Sequence, residues 1–284
     1  MANHLFSPAP GTVGFVLHPT DLSAASERAF DHALAFAIRN GAQFTLLHAV
    51  GRRATDNWPG FPSVRSRLAR WREAGSIDGL EDRIRQASIS KLEVEIRDPV
   101  AASKQYIERH AVDMIVLATS GRRGLARLLK PSRAERLARE SKIFTLFVPD
   151  GGRDFVRRGT GRVTLRRILI PVHPGTDPMP AMSRAVHAAA LLDDPSLEIT
   201  LLHIGPGAPF DQTDLPDLPF CRWHMAQRSG DVVQGILDAA EEFEADAIYM
   251  PTAWSKASFG RLDGGVTEAV VANAVCPVAA VPVS

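Results

Sequence analysis

The stretch "VDMIVLATSGRRG" (Val112–Gly124) decides the fold, because the chain carries its pattern twice: "ADAIYMPTAWSKA" (Ala245–Ala257) is the second copy. Downstream, "AERLARESKIFTLFVP" (Ala134–Pro149) is matched by "TEAVVANAVCPVAAVP" (Thr267–Pro282). Asp113 pairs with Asp246, Glu135 with Glu268 and Pro149 with Pro282, each 133 residues apart, so no insertion separates these pieces. Upstream, "FTLLHAV" (Phe44–Val50) returns as "ITLLHIG" (Ile199–Gly205), and the two TLLH tetrads lie 155 residues apart. "VLHPTD" (Val16–Asp21) returns as "LIPVHP" (Leu169–Pro174), with Pro19 matching Pro171. The drop in spacing from 155 to 133 makes the second copy about 22 residues shorter in its middle. The chain therefore reads as two homologous domains, 1–150 and 166–284. Between them, 151–165 is rich in glycine and arginine and poor in apolar periodicity, which is a linker composition.

Within the first copy, "VGFVLH" is a short apolar strand. Ala29, Phe30, Ala33, Leu34 and Ala37 then recur at helical spacing, with Ser23 as a capped start and Gly41 as a stop. Strand "QFTLLHAV", a helix near Leu80–Ser88, strand "KLEVEIR", a helix near Ala101–His110, strand "DMIVLA", a helix from Ser132 and strand "IFTLFVP" follow. Short apolar strands alternating with amphipathic helices predict a parallel sheet covered on both faces. Right-handed crossovers make it doubly wound. In the second copy "GPGAPFDQTDLPDLPF" contains four prolines and predicts an extended crossover in place of a helix.

Composition narrows the function. Of 284 residues, 45% are hydrophobic and 23% charged, the balance of a soluble globular protein, and the formal net charge of +1 favours neither nucleic acid nor membrane as partner. Cys221 and Cys276 have no metal-type spacing, which points to a reducing compartment. "MANHLFSPAPGTVGF" lacks the basic and apolar regions of a secretory signal, so a cytoplasmic location is expected.

In such sheets, ligands bind outside the carboxyl ends of the strands, where strand order reverses. Asp21 follows strand one, Ala49 ends strand two, and Ser120–Lys130 leaves strand four. In that loop, Gly121 and Gly124 free backbone N–H groups to turn toward an anion. Ser132 then opens a helix whose N-terminus favours negative charge. The bland alternative is a tight turn that simply needs glycine. Arg122, Arg123, Arg127, Lys130, Arg133 and Arg136 read either as a supplement to a phosphate site or as a solvated face balanced by Glu135 and Glu140. Arg133 is the one placed in the first turn.

His18, His48, His173 and His203 fall near strand ends. Without a zinc-type spacing they read as structural or cleft-lining, and no metal site is expected. No nucleophile elbow or usable Ser/His/Asp pattern occurs, so the chain does not read as an enzyme. The insertion "NWPGFPSVRSRLARW" (Asn57–Trp71) reads as a flap packed on its own domain, or else a lid or partner-binding loop.

Together "HPTDLS", "TLLH", strand four, the glycine-containing loop and "CPVAAVPV" resemble the universal stress protein family, in its tandem two-domain form, over nearly the whole chain. The resemblance implies two Rossmann-like α/β domains, each a five-stranded parallel sheet of order 3-2-1-4-5 with helices on both faces. Family members commonly dimerise through the last strand, which implies a pseudo-dimer of the two halves within one chain, with a homodimer as a further arrangement. One branch binds ATP, with Mg²⁺ as companion. Carried over, that site comprises Thr20 and Asp21 near the nucleoside, Ala49 at adenine, Leu117 and Ala118 ending strand four, and Ser120, Gly121, Ser132, Arg133 and Ala134 around the phosphates.

Against the family loop G-x-x-G-x9-G-[ST], Ala118 replaces the first glycine and Pro131 the third, and a proline removes an N–H donor. In the second copy His173 stands at the aspartate position, Pro251 and Trp254 at the first two glycines, and Gly265 at the serine after a retained Gly264. A nucleotide site is therefore expected in the first half alone, with at most slow hydrolysis. A nucleotide-independent interaction module is the alternative.

Overall fold

The structure, a computed structural model, describes residues 13–50, 63–75, 79–119, 132–192, 196–207, 215–254 and 265–283. These divide into two compact units, one of Val13–Asp150 with Val156–Val163, the other of Gly151–Phe155 with the chain from Thr164 onward.

The first unit runs β1 (Phe15–Thr20), α1 (Ala24–Asn40), β2 (Gln43–Ala49), α2 (Val64–Glu73), α3 (Leu80–Gln86), β3 (Ser88–Val94), α4 (Pro99–Ile107), β4 (Met114–Thr119), α5 (Arg133–Ser141) and β5 (Phe144–Pro149). Its strands are all parallel in the order β3-β2-β1-β4-β5, as expected. The order reverses between β1 and β4, which leaves a crevice at their carboxyl ends. α1 packs with α3 on one side and α4 with α5 on the other. Burial on both faces explains the unbroken apolar runs of β4 and β5.

Local chemistry sets the element ends. Ser23 caps α1 by accepting the Ser26 N–H, and Gly41 stops it in the left-handed conformation at φ 61°. β3 begins at Ser88, three residues before the sequence reading, because Gln43 already pairs with Ser88 in register. The insertion after β2 contains a helix, α2, capped by Ser63, with Leu68 and Trp71 buried. Its described part thus packs on its own domain; residues 57–62 lie outside the described residues.

The second unit runs β6 (Arg167–Val172), α6 (Met179–His187), a 3₁₀ turn (Ala188–Leu191), β7 (Leu197–Ile204), β8 (Cys221–Arg228), α7 (Val232–Glu242), β9 (Ala247–Thr252), α8 (Val266–Asn273) and β10 (Val278–Pro282). Its parallel order β8-β7-β6-β9-β10 repeats that of the first unit. Among the described residues no helix stands between β7 and β8; residues 208–214 of the proline-rich crossover lie outside them.

The repeat extends to hydrogen bonds. Asp113 Oδ2 accepts the N–H groups of Gly14 and Phe15, both at 2.9 Å, and Asp246 Oδ2 accepts those of Arg166 and Arg167, both at 2.8 Å. Each aspartate therefore pins the start of its central strand.

The segment between the repeats is partly built into the units. Within the first unit, Val156 and Val163 form an antiparallel bridge. The Arg158 carbonyl there accepts from Trp71 Nε1 at 3.0 Å and from an Arg67 guanidinium N–H at 3.2 Å. The Arg158 guanidinium pairs with Glu27, and Arg67 lies 3.0 Å from the buried Asp31 carboxylate. Phe155 and Leu165 are buried in the second unit.

Candidate functional site

The crevice of the first unit is built where β1, β2 and β4 end. Thr20 closes β1, and its carbonyl accepts from His48 Nδ1 at 2.9 Å, which ties β2 to β1. Its hydroxyl accepts the N–H of Leu22, a non-glycine residue held at φ 61°, so the chain turns sharply after the strand. The turn sets Asp21 on the surface with one oxygen anchored. Asp21 Oδ1 accepts from the Ser23 N–H at 3.0 Å and the Ser26 hydroxyl at 2.6 Å. Burial alone would raise this carboxyl, but the hydrogen bonds from Ser23 and Ser26 outweigh it and hold the group below its ordinary value. Asp21 is thus a fixed anion, and Oδ2 takes no part in those bonds.

Ala49, half-buried, ends β2, while Leu117 is buried and Ala118 half-buried near the end of β4. Ser120, Gly121, Arg122, Arg123, Arg127, Lys130 and Pro131 lie outside the described residues. Ser132 is the N-cap of α5, as its sequence position suggests, and it forms a complete capping box with Glu135. The Ser132 hydroxyl accepts the Glu135 N–H at 3.1 Å, and the Ser132 N–H donates to Glu135 Oε2 at 2.8 Å. One N–H of the anion-binding end is therefore taken by the chain's own carboxylate. Arg133 and Ala134, in the same first turn, keep N–H groups that have no helical acceptor. Arg136 points elsewhere, pairing with Asp98 at 2.5 Å.

Glu135 is the site residue that the loop motif overlooks. Its S-x-x-E spacing from Ser132 is the signal that marks it.

His18, His48 and His203 each lie against a backbone carbonyl of a neighbouring strand. His18 is fully buried against Phe30, with Nδ1 2.8 Å from the Val116 carbonyl. His203 repeats the tie of His48, its Nδ1 3.3 Å from the Val172 carbonyl. Among the described residues no group of three or more His, Cys, Asp or Glu could hold a metal ion. Cys221 and Cys276 are free and buried, and burial pushes both thiols up to about 12, far from reactive thiolates.

The corresponding place in the second unit has other chemistry. His173 stands where Asp21 does and accepts the Gly175 N–H on Nδ1 at 3.2 Å. Gly265 caps α8 without any side-chain bond. Trp254 is half-buried, and Gly264 lies outside the described residues.

The family model for the universal stress protein family matches residues 15–149 and 221–282, more than half of the chain. The chain belongs to the universal stress protein family. Among solved structures, a universal stress protein from Archaeoglobus fulgidus DSM 4304 superposes with a TM-score of 0.61 at 19% identity, covering 94% of this chain and 96% of its own. A putative universal stress protein from Pseudomonas aeruginosa UCBPP-PA14 superposes at 0.55 and 14% identity, covering 95% and 93%. At such identities the likeness is one of fold, in tandem form. No curated protein sequence matches the chain significantly. Among the described residues of this universal stress protein, no helix is long and apolar enough to cross a membrane.

Proposed function

We propose that this universal stress protein is a nucleotide-responsive binding protein of the cytoplasm whose first half holds ATP, with Mg²⁺, or a related adenine nucleotide. Asp21 carries the reading. Its anchored, ionised carboxylate beside the carboxyl end of β1 suits a ribose hydroxyl donor. Ala49, Leu117 and Ala118 would flank the base and sugar. The N–H groups of Arg133 and Ala134, with Ser120, Gly121 and Ser132, would meet the phosphates. Mg²⁺ would lower the phosphate charge that Glu135 opposes. Turnover would be slow and incidental, since no general base or nucleophile is assigned.

Calorimetry with ATP and Mg²⁺ tests this reading. Saturable heat that is lost on Asp21→Ala supports it. No heat at millimolar ligand with a folded sample overturns it.

One observation favours a second reading, in which the protein is a nucleotide-independent interaction module. Glu135 already occupies the Ser132 N–H with a carboxylate. Adenine nucleotide copurifying with the protein would count against that reading. Pairing of the two halves, or of two chains, belongs to the proposal on family resemblance, and sedimentation of the whole chain tests the homodimer.

A further inference from the structure

Each unit has an outer strand with a single neighbour among the described residues: β3 beside β2, and β8 beside β7. Such an edge presents backbone N–H and C=O groups that can template a further strand. The two edges differ in charge. β8 carries Arg222, His224 and Arg228 and no acidic residue, so no register of β8 against a second β8 opposes unlike charges. β3, "SISKLEV", carries Lys91 and Glu93 on either side of Leu92.

Backbone direction decides which residues of β3 can pair outward. The Val94 carbonyl accepts the Val50 N–H at 2.9 Å, so Val94 turns its backbone groups to the β2 side. Successive residues of a paired strand turn to opposite sides, so Leu92 and Ser90 also address β2, while Lys91 and Glu93 address the open edge. Side chains alternate as well. Ser90 Oγ lies 2.8 Å from Thr45 Oγ1, which lies 3.0 Å from the Tyr106 hydroxyl of α4, so Ser90, Leu92 and Val94 share the α4 face. Lys91 and Glu93 share the opposite face, Lys91 exposed and Glu93 half-buried.

One antiparallel register suits both patterns. With a two-fold axis at Leu92, Lys91 stands directly opposite Glu93 of a second copy, and Glu93 opposite Lys91. Both residues point their backbone groups outward, so each is a hydrogen-bonded pair with unlike charges side by side. Leu92 meets Leu92 in the closer, non-hydrogen-bonded position between them, and Ser90 meets Val94. Centring on Lys91 instead sets lysine against lysine, and centring on Glu93 sets glutamate against glutamate.

We propose that β3 is a contact between two copies of this chain, formed by antiparallel strand addition about Leu92. The contact is separate from the last-strand pairing that family resemblance implies, because it uses neither β5 nor β10. It engages only Ser90–Val94 of each strand, so the dimer is weak and concentration-dependent.

Sedimentation velocity of the full chain without nucleotide, over a range of concentrations, is the test. The wild type shows a dimer that grows with concentration, and a monomer at high micromolar concentration overturns the proposal. Lys91→Glu and Glu93→Lys each set like charges opposite one another in both pairs and weaken the dimer about tenfold or more. Dimerisation unchanged in both variants, as for a dimer through the last strand, overturns the proposal. An equal mixture of the two variants again opposes unlike charges in both pairs, and a heterodimer forms at wild-type affinity. A mixture as monomeric as its components overturns the proposal. Should either variant fail to fold, Glu93→Pro decides. It removes an N–H that faces the open edge and spares the ladder to β2, so the dimer is lost from a folded chain. A dimer that survives Glu93→Pro overturns the proposal.

Discussion

Ser132 and Glu135 hold each other at the start of α5, the serine N–H donating to the carboxylate at 2.8 Å and the glutamate N–H donating to the serine hydroxyl at 3.1 Å. The carboxylate stabilises the helix end through the same dipole that would attract a phosphate. A nucleotide at this end must therefore accommodate a negative charge. Glu135→Gln keeps an oxygen acceptor for the Ser132 N–H and removes that charge. The variant is expected to bind ATP with Mg²⁺ roughly two- to fivefold more tightly, corresponding to about 0.3–1 kcal/mol at a helix terminus. Titration calorimetry on both proteins checks it, and a weakened affinity would contradict the geometry.

Asp113 and Asp246 each give one carboxylate oxygen to two backbone N–H groups at the start of a central strand. Replacing either by alanine removes both acceptors. The N–H groups are partly exposed, so water recovers some of the loss, and each change should cost about 1–2 kcal/mol. Two units make global unfolding an ambiguous measure. Amide hydrogen exchange separates them: Asp113→Ala should speed exchange at Phe15 and spare Arg167, and Asp246→Ala should do the reverse.

The repeat was legible in the sequence because it is written in side chains with specific duties. Asp113 and Asp246, the two TLLH tetrads and Pro149 with Pro282 recur because strand starts, buried strands and strand ends recur. α2 was obscured because "NWPGFP" precedes it and suggests loop, while the signals inside it are only Ser63, Leu68 and Trp71. The Glu135 box was visible as a spacing, yet a glutamate among arginines also reads as charge balance. The tie from His48 to the Thr20 carbonyl had no signature, since a backbone acceptor carries no residue code.

Gly161 approaches Trp71 too closely for any side chain. A Cβ there would stand 2.4 Å from Trp71 Cδ2, and the residue has φ +68°. Gly161→Ala thus combines a ring clash with a left-handed conformation, and about 2 kcal/mol or more of local destabilisation is expected. The turn at Gly161 holds the segment whose Arg158 carbonyl receives the Trp71 and Arg67 donors. Trypsin should therefore cleave after Arg157, Arg158 or Arg162 faster in the variant than in the wild type. Equal cleavage rates would show that Trp71 does not secure this segment.

His18 ties stability to pH. Its Nδ1 donates to the Val116 carbonyl, and its Nε2 is buried without a hydrogen-bond partner. Burial lowers its pKa to about 4, while the Val116 carbonyl, the Asp21 charge and the Ser26 backbone pull the other way and are outweighed. The unfolded chain takes up a proton near pH 6.5, whereas the folded chain resists it until about pH 4. This contribution to stability is thus fully present above pH 6.5 and is lost as the pH falls toward 4, about 3 kcal/mol over the window. Urea unfolding of the first unit, followed between pH 7 and 4 by hydrogen exchange in β1 and β4, should show that decline. In His18→Gln the same window should be flatter, because the amide still donates to Val116 and does not titrate. A wild-type slope equal to that of His18→Gln would mean that His18 is not the group responsible.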